Sequence, residues 1–147
     1  MDIIGGPWSA DAIEQYLHSA VLPVRLASIA ADGSPLVLSL WYLYQEGSIW
    51  CATQHTSRLV ARLEREPRCG FEIAADIIPY RGVRGRAQAT IDVHRGATLL
   101  PRLLNRYLGG TDSPLASWLM ARAEHEVAIR LDRMRVSTWD FTDRMTK

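Results

Sequence analysis

The sequence predicts a mainly β domain with peripheral helices (α+β), built as an antiparallel barrel rather than a doubly wound parallel sheet. Three observations carry this. Asp32-Gly33 lies between two apolar runs, and a tight hairpin turn needs the positive φ that glycine supplies. In VRGRAQATIDV, Val83, Gly85, Ala87, Ala89, Ile91 and Val93 alternate with Arg84, Arg86, Gln88, Thr90 and Asp92. That period of two means a long strand with one buried face. Strand-like runs also follow one another through tight turns, as antiparallel sheets require.

The elements read in order as follows. SADAIEQYLHSA predicts a helix with an Asp11/Glu14 capping box and an Ile13, Tyr16, Leu17 stripe. VLPVRLASIA, PLVLSLWYLY and SIWCAT predict three strands of one meander, turning at ADGS and QEGS. SRLVARLERE predicts a helix with Leu59, Val60 and Leu63 on its apolar face, Thr56 or Ser57 as N-cap and Pro67 as its stop. RCGFEIAA returns to strand. GATLLPRLLNRYLGG predicts a helix ending at Gly109-Gly110, and DSPLASWLMARAEH one capped by Ser113 with Pro114 in its first position. EVAIRLD and VSTWDF close the chain as two strands.

With 147 residues, 48% apolar and 22% charged, the chain suits a single domain over 1–147, with 1–20 as an N-terminal helical segment. No apolar run is long enough to span a bilayer, and MDIIGGPWSADAIEQ lacks the pattern of a signal peptide. A cytoplasmic protein with no membrane partner is expected. A net charge of +1 with interspersed signs argues against nucleic acid as a partner. Lys147 is the sole lysine, so an anion site must draw on arginine, hydroxyls or backbone N–H groups. Cys51 and Cys69 form no CxxC pair and have no histidine at ligand spacing, so no metal is expected. They read as buried thiols on neighbouring strands.

The segment CATQHTSRLVARLEREP concentrates hydrogen-bonding side chains at a strand-to-helix junction. Thr53, Thr56 and Ser57 precede Arg58. Helix starts leave N–H groups unpaired, and one hydroxyl cap satisfies them without further purpose. The same amides favour an anion, hydroxyls add donors, and a guanidinium grips phosphate bidentately. An ordinary cap and a phosphate cradle both remain open at this point.

Four segments resemble the pyridoxamine 5'-phosphate oxidase-like superfamily, the FMN-binding split β-barrels. They are LASIAADGSPLVLSLWYLY, IWCATQHTSRLVARLEREPRCGFEI, YRGVRGRAQAT and VSTWDF. The last is similar to the branch that includes enzymes dependent on the deazaflavin coenzyme F420. The resemblance runs from about Leu22 to Phe141. It implies an antiparallel split barrel, a homodimer with its cofactor site near the dimer interface, and FMN or coenzyme F420 as cofactor. It implies that Thr53, Ser57 and Arg58 hold the cofactor phosphate, with Ala52 beside them and Thr56 added on chemical grounds. Ser39, Leu40 and Trp41 would lie along the ring, and Arg81 or Arg84 would reach the cofactor, across the dimer interface if not within one chain. The family's lysine after Ser-Arg is Leu59 here, which leaves open weak FMN binding, a different cofactor, or its loss.

The implied function is a flavin- or deazaflavin-dependent oxidoreductase acting on a small molecule. The alternative is a non-catalytic flavin- or haem-sequestering protein on the same barrel. No triad or carboxylate pair stands out, so no catalytic side chain is assigned; in such enzymes the cofactor carries the hydride. His55 alone among the four histidines lies at the expected site. The RGVRGR arginines read as the outer face of a strand or as facing an anion. Trp50, Trp118 and Trp139 are expected in the core, with Trp41 reserved for the ring.

Overall fold

The computed structural model describes residues 1–146. The chain runs β1 (Asp2–Gly5), α1 (Ala10–Ser19), β2 (Val24–Ile29), β3 (Pro35–Leu40), β4 (Tyr42–Gln45), β5 (Ser48–Gln54), α2 (Arg58–Arg65), β6 (Arg68–Ala74), β7 (Arg81–Asp92), α3 (Gly96–Leu108), α4 (Pro114–Met120), a 3-10 turn (Ala123–His125), β8 (Glu126–Asp140) and α5 (Thr142–Met145). Seven strands pair in the order β3-β2-β6-β7-β8-β5-β4, each antiparallel to its neighbours, and β1 lies parallel to β8.

The ends of that strand order explain the barrel. Edge strands β3 and β4 are separated in sequence by Trp41 alone. A flat sheet of this width would hold its edges about 29 Å apart, at ~4.8 Å per strand step. One residue cannot bridge that gap, so the sheet curls until its edges meet, and the barrel is split at Trp41. Leu26, Tyr42, Ile49, Ile73, Ile129 and Leu131 fill the interior, all fully buried. The 83/85/87/89 face of β7 points inward and the Arg84, Arg86 and Gln88 face outward. Val93 falls beyond the strand end and is exposed.

The helices close over the barrel as their apolar stripes direct. On α2, Leu59, Val60 and Leu63 are buried; Ser57 is the N-cap, its Oγ accepting from Val60 N at 3.3 Å. On α1 the cap is Ser9, which accepts from Ala12 N, not the expected Asp11/Glu14 box. Glu14 Oε1 instead accepts the Tyr44 hydroxyl at 3.1 Å. The α1 C-terminus is held by Arg106, whose Nη atoms donate to His18 O and Ala20 O at 2.7 Å, a cation where the helix dipole favours one.

Several expectations are corrected. The run from Pro35 to Gln45 is two strands, not one, because barrel closure carries the chain from one sheet edge to the other at Trp41. The expected three-strand meander is therefore two hairpins, β2–β3 and β4–β5, at opposite ends of the strand order. EVAIRLD and VSTWDF are one strand: Asp132-Arg133, which resembles a turn, is a bulge with Arg133 at φ 50° and a register shift opposite it on β7. Strand β1 and helix α5 were not anticipated.

Cys51 and Cys69 are both buried, but β7 and β8 separate their strands. Burial, and then each other's proximity, raises the Cys51 thiol; burial pushes Cys69 up to about 12. Both stay protonated and act as small apolar side chains. Among the described residues no helix is long and apolar enough to cross a membrane.

Candidate functional site

The split places an open cleft of about 490 Å³ between the β3–β4 junction, the end of β5, and helices α3 and α4. Ser39, Leu40 and Trp41 form one wall and Ala52, Thr53 and Gln54 a second. Leu100 and Leu103 come from α3, and Trp118, Leu119 and Arg122 from α4 and the residues after it. The curl of the sheet thus brings together two segments, 39–41 and 52–53, that sequence reasoning had linked only through a resemblance.

Trp41 is held in place. Its ring stacks on Tyr107 at 5.2 Å between centroids and 9° between planes. Tyr107 is fixed in turn, its hydroxyl donating to Leu22 O at 2.8 Å and accepting from Tyr42 N at 3.1 Å. Trp118 is 56% exposed, contrary to its expected core position, and the Arg122 guanidinium lies 4.7 Å from its ring centroid. Trp50 is buried as expected, with the Arg95 and Arg130 guanidiniums 4.7 and 5.4 Å from its ring centroid. The α4 wall escaped the sequence reading because Trp118 and Arg122 read equally well as core and surface of an amphipathic helix. The available signal was their i,i+4 spacing, which puts both on one side.

The cleft carries one charge of each sign, Arg122 and Glu126. Glu126 is 6% exposed and forms no ion pair among the described residues. Its Oε1 accepts from Gln54 Nε2, which also points at Arg122 O from 3.4 Å. A buried carboxylate at this wall repels a phosphate, so any phosphate-bearing ligand must keep that group away from Glu126.

The next turn of chain offers such a place. Ser57 N donates to Gln54 O at 2.9 Å, turning β5 directly into α2. Thr56 and Arg58 are exposed and Ser57 half-buried at the start of the helix; none of the three lines the cleft itself. Arg58 makes no side-chain ion pair or hydrogen bond among the described residues, leaving its guanidinium free. Leu59 is 4% exposed and packs in the barrel core. Arg62 is engaged elsewhere, its Nε donating to Ser28 Oγ at 3.0 Å, so it does not replace the missing lysine.

One chain does not bring Arg81 or Arg84 to this site. Arg81 pairs with Asp140 at the far end of β8, whereas Thr53 pairs with Val127 near its start. Arg81 lines a separate hollow with Trp8, Tyr16 and Asp140. Arg84 lies on the outer sheet face, its guanidinium 5.3 Å from the Trp139 ring. His55 is exposed, its Nδ1 3.2 Å from His125 O, and does not line the cleft. Among the described residues no three His, Cys, Asp or Glu side chains come together to hold a metal.

No protein-family model and no curated protein matches the sequence. Solved structures do match. Conserved hypothetical protein Rv2991 from Mycobacterium tuberculosis is 27% identical over 91% of this chain and 86% of its own, with a TM-score of 0.73. A structure named F420 reductase is 19% identical over 80% of this chain and 90% of its own, at 0.67. A FAD-binding protein from Mesorhizobium loti is 19% identical over 89% of this chain and 94% of its own, at 0.65. The strand order, the curl and the split at Trp41 agree with this likeness: the chain has the split β-barrel fold of pyridoxamine 5'-phosphate oxidase-like proteins.

Proposed function

We propose that the protein is a cytoplasmic oxidoreductase that binds FMN or, alternatively, coenzyme F420 in the Trp41–Trp118 cleft and acts on a small molecule. The observation that carries this is the cleft itself. Aromatic and aliphatic walls stand either side of a slot with the volume of a ligand pocket, beside a hydroxyl-capped helix start with a free arginine. The donor set fits the group. Trp41, Trp118 and the α3 leucines suit a flat ring, Ser39 and Thr53 offer hydroxyls to its polar edge, and Ser57, Thr56 and Arg58 suit a phosphate. Glu126 orients the ligand by excluding the phosphate from the α4 end. The bound ring would supply hydride transfer; the chain supplies position, dryness and charge.

A homodimer belongs to the same proposal. The chain leaves Val37, Ile77 and Ile78 exposed at 66, 75 and 65%, apolar surface suited to a second copy, and a partner's Arg81 would then complete the site. Sedimentation velocity showing only monomer would sink the dimer.

The test is a visible spectrum of purified protein after incubation with FMN, and separately with F420, with free ligand removed. A retained flavin or deazaflavin band is expected, with turnover when an electron donor is added. A colourless protein after both incubations overturns the reading. A retained chromophore without turnover would make the protein a carrier instead of an enzyme.

Two substitutions probe the walls. Ser57→Ala with Arg58→Gln should weaken cofactor binding at least about a hundredfold, since two hydrogen bonds to a charged phosphate, from the Ser57 hydroxyl and the Arg58 guanidinium, are together worth roughly 3 kcal/mol. The fold should survive, with unfolding free energy lowered by only about 1 kcal/mol. Trp118→Ala should leave stability within about 0.5 kcal/mol because the side chain is exposed, yet weaken ring binding up to about tenfold. Equal affinity for wild type and Trp118→Ala would remove α4 from the site.

A further inference from the structure

Glu126 has one carboxylate oxygen that the chain itself does not use. Its backbone is fixed from two sides. It pairs with Gln54 across the β5–β8 ladder, and the start of α3 presses so closely that a Cβ on Gly96 would lie 2.1 Å from Glu126 O. The side-chain Oε1 accepts from Gln54 Nε2, whereas Oε2 has no partner among the described residues. Among those that are not exposed, the Tyr16 hydroxyl is the one side-chain oxygen sealed from solvent without a partner, so Glu126 Oε2 keeps an open side. Glu126 is only 6% exposed, and the space it lines is the cleft. The unused oxygen therefore opens into the cleft.

The fold does not need this charge. A glutamine at 126 would satisfy Gln54 Nε2 equally well with no ion to desolvate, and burying a carboxylate without a cation is costly. The cleft's own cation does not relieve it: Arg122 holds its guanidinium 4.7 Å from the Trp118 ring centroid and forms no ion pair among the described residues. Unlike an exposed surface charge, Glu126 is already buried within one chain, so a second copy reaches it only by entering the same cleft. Thr53, beside Gln54 on β5, also lines the cleft and its hydroxyl makes no hydrogen bond among the described residues. The slot between the tryptophan and leucine side chains thus offers a guanidinium donor, a carboxylate acceptor and a hydroxyl.

We propose that Glu126 Oε2 accepts the ring N–H at the pyrimidinedione edge of the cofactor, with Arg122 and Thr53 supplying donors to the carbonyls that flank it. This rests on the cofactor reading above and adds the residue that sets the ring's direction. That edge runs carbonyl, N–H, carbonyl in FMN and in F420 alike, which is the complement of the donors and acceptor in the cleft. A hydrogen bond to a charged acceptor is about twice as strong as a neutral one, and the dry, apolar walls strengthen it further. The same carboxylate that turns the phosphate away from this wall therefore holds the opposite end of the molecule. Its charge also opposes the gain of negative charge at the ring on reduction.

The probes are FMN and its 3-methyl derivative, which lacks only the ring N–H, titrated by flavin fluorescence into the full chain; the matching deazaflavin pair serves if F420 alone is retained. Wild type should bind the parent compound at least about tenfold more tightly than the methylated one, the loss expected for a hydrogen bond to a charged group. In Glu126→Gln the amide oxygen is claimed by Gln54, so its NH2 group turns to the cleft and the acceptor is gone. The preference for the parent compound should then vanish or reverse, and the midpoint potential of the bound ring should rise, a change that a purely structural role would not produce. Cofactor retained with equal affinity for both compounds in wild type overturns this proposal and leaves the cofactor reading standing. A preference that persists undiminished in Glu126→Gln also overturns it, because the N–H is then read elsewhere. A preference that appears only once Arg81→Gln is introduced overturns it too, and shows Glu126 paired with the arginine of a second copy. No binding of any of these ligands removes the cofactor reading and this proposal with it.

Discussion

Replacing Leu59 with lysine should destabilise the protein by about 3–5 kcal/mol without improving its hold on a phosphate-bearing cofactor. The substitution restores the residue that related barrels carry after Ser-Arg, so a reading from sequence alone expects a gain. The structure sends the side chain the other way. Leu59 lies one turn before Leu63 on the buried stripe of α2, and both pack into the barrel interior at 4% and 2% exposure. A lysine there either buries an ammonium or pulls the first turn of the helix off the barrel. It also sets a cation at a helix N-terminus, where the dipole opposes it. Leu59→Met, which keeps volume and character, should cost less than about 1.5 kcal/mol and serves as the control. Urea unfolding and cofactor titration on all three proteins decide the matter. If the lysine variant is as stable as wild type and binds FMN more tightly, position 59 faces the ligand, and the assignment of phosphate contacts to Arg58 is wrong.

Gly96→Ala is expected to damage fold and site together. A Cβ at Gly96 would lie 2.1 Å from Glu126 O and 2.5 Å from Val127 N, backbone atoms of β8 that cannot rotate away. The start of α3 must therefore lift off the sheet. That loosens Leu99 and Leu103 against Trp50 and Ala128, and displaces Leu100, Leu103 and Glu126 around the cleft. Overpacking of this kind costs about 3 kcal/mol, and ring binding should weaken along with stability. Gly5→Ala is the comparison, since its Cβ would meet nothing within 4 Å and should be close to neutral. A Gly96→Ala protein with unchanged urea midpoint and unchanged ligand affinity would show that α3 does not set the cleft's width.

Much of the fold was legible because it depends on local rules. The Asp32-Gly33 and Glu46-Gly47 turns, the Ser57 and Ser113 caps and the Gly109 stop are each written in one or two residues, and each stands where expected. The alternation of β7 announced its buried face. What was not legible depended on closure. Nothing in PLVLSLWYLY marks Trp41 as a corner, because the corner arises from two sheet edges meeting. Asp132-Arg133 resembles a turn, and only the pairing of β8 with β7 makes it a bulge. At the candidate site, Thr53, Ser57 and Trp41 stood out by chemistry or resemblance, whereas Trp118, Arg122 and Glu126 became relevant only when α4 and the start of β8 folded against the β3–β4 junction.

By itself, then, the sequence determined the kinds of element, their order and the residues that cap or turn them, because propensity, periodicity and turn chemistry act over a few bonds. Tertiary structure alone decided where charge and aromatic surface meet. Leu59 is core because its helix face is pressed on the barrel. Arg81 stands apart from Thr53 because β8 carries their partners to opposite ends. Arg86 confronts Arg135 because register, which no short stretch encodes, sets strands side by side.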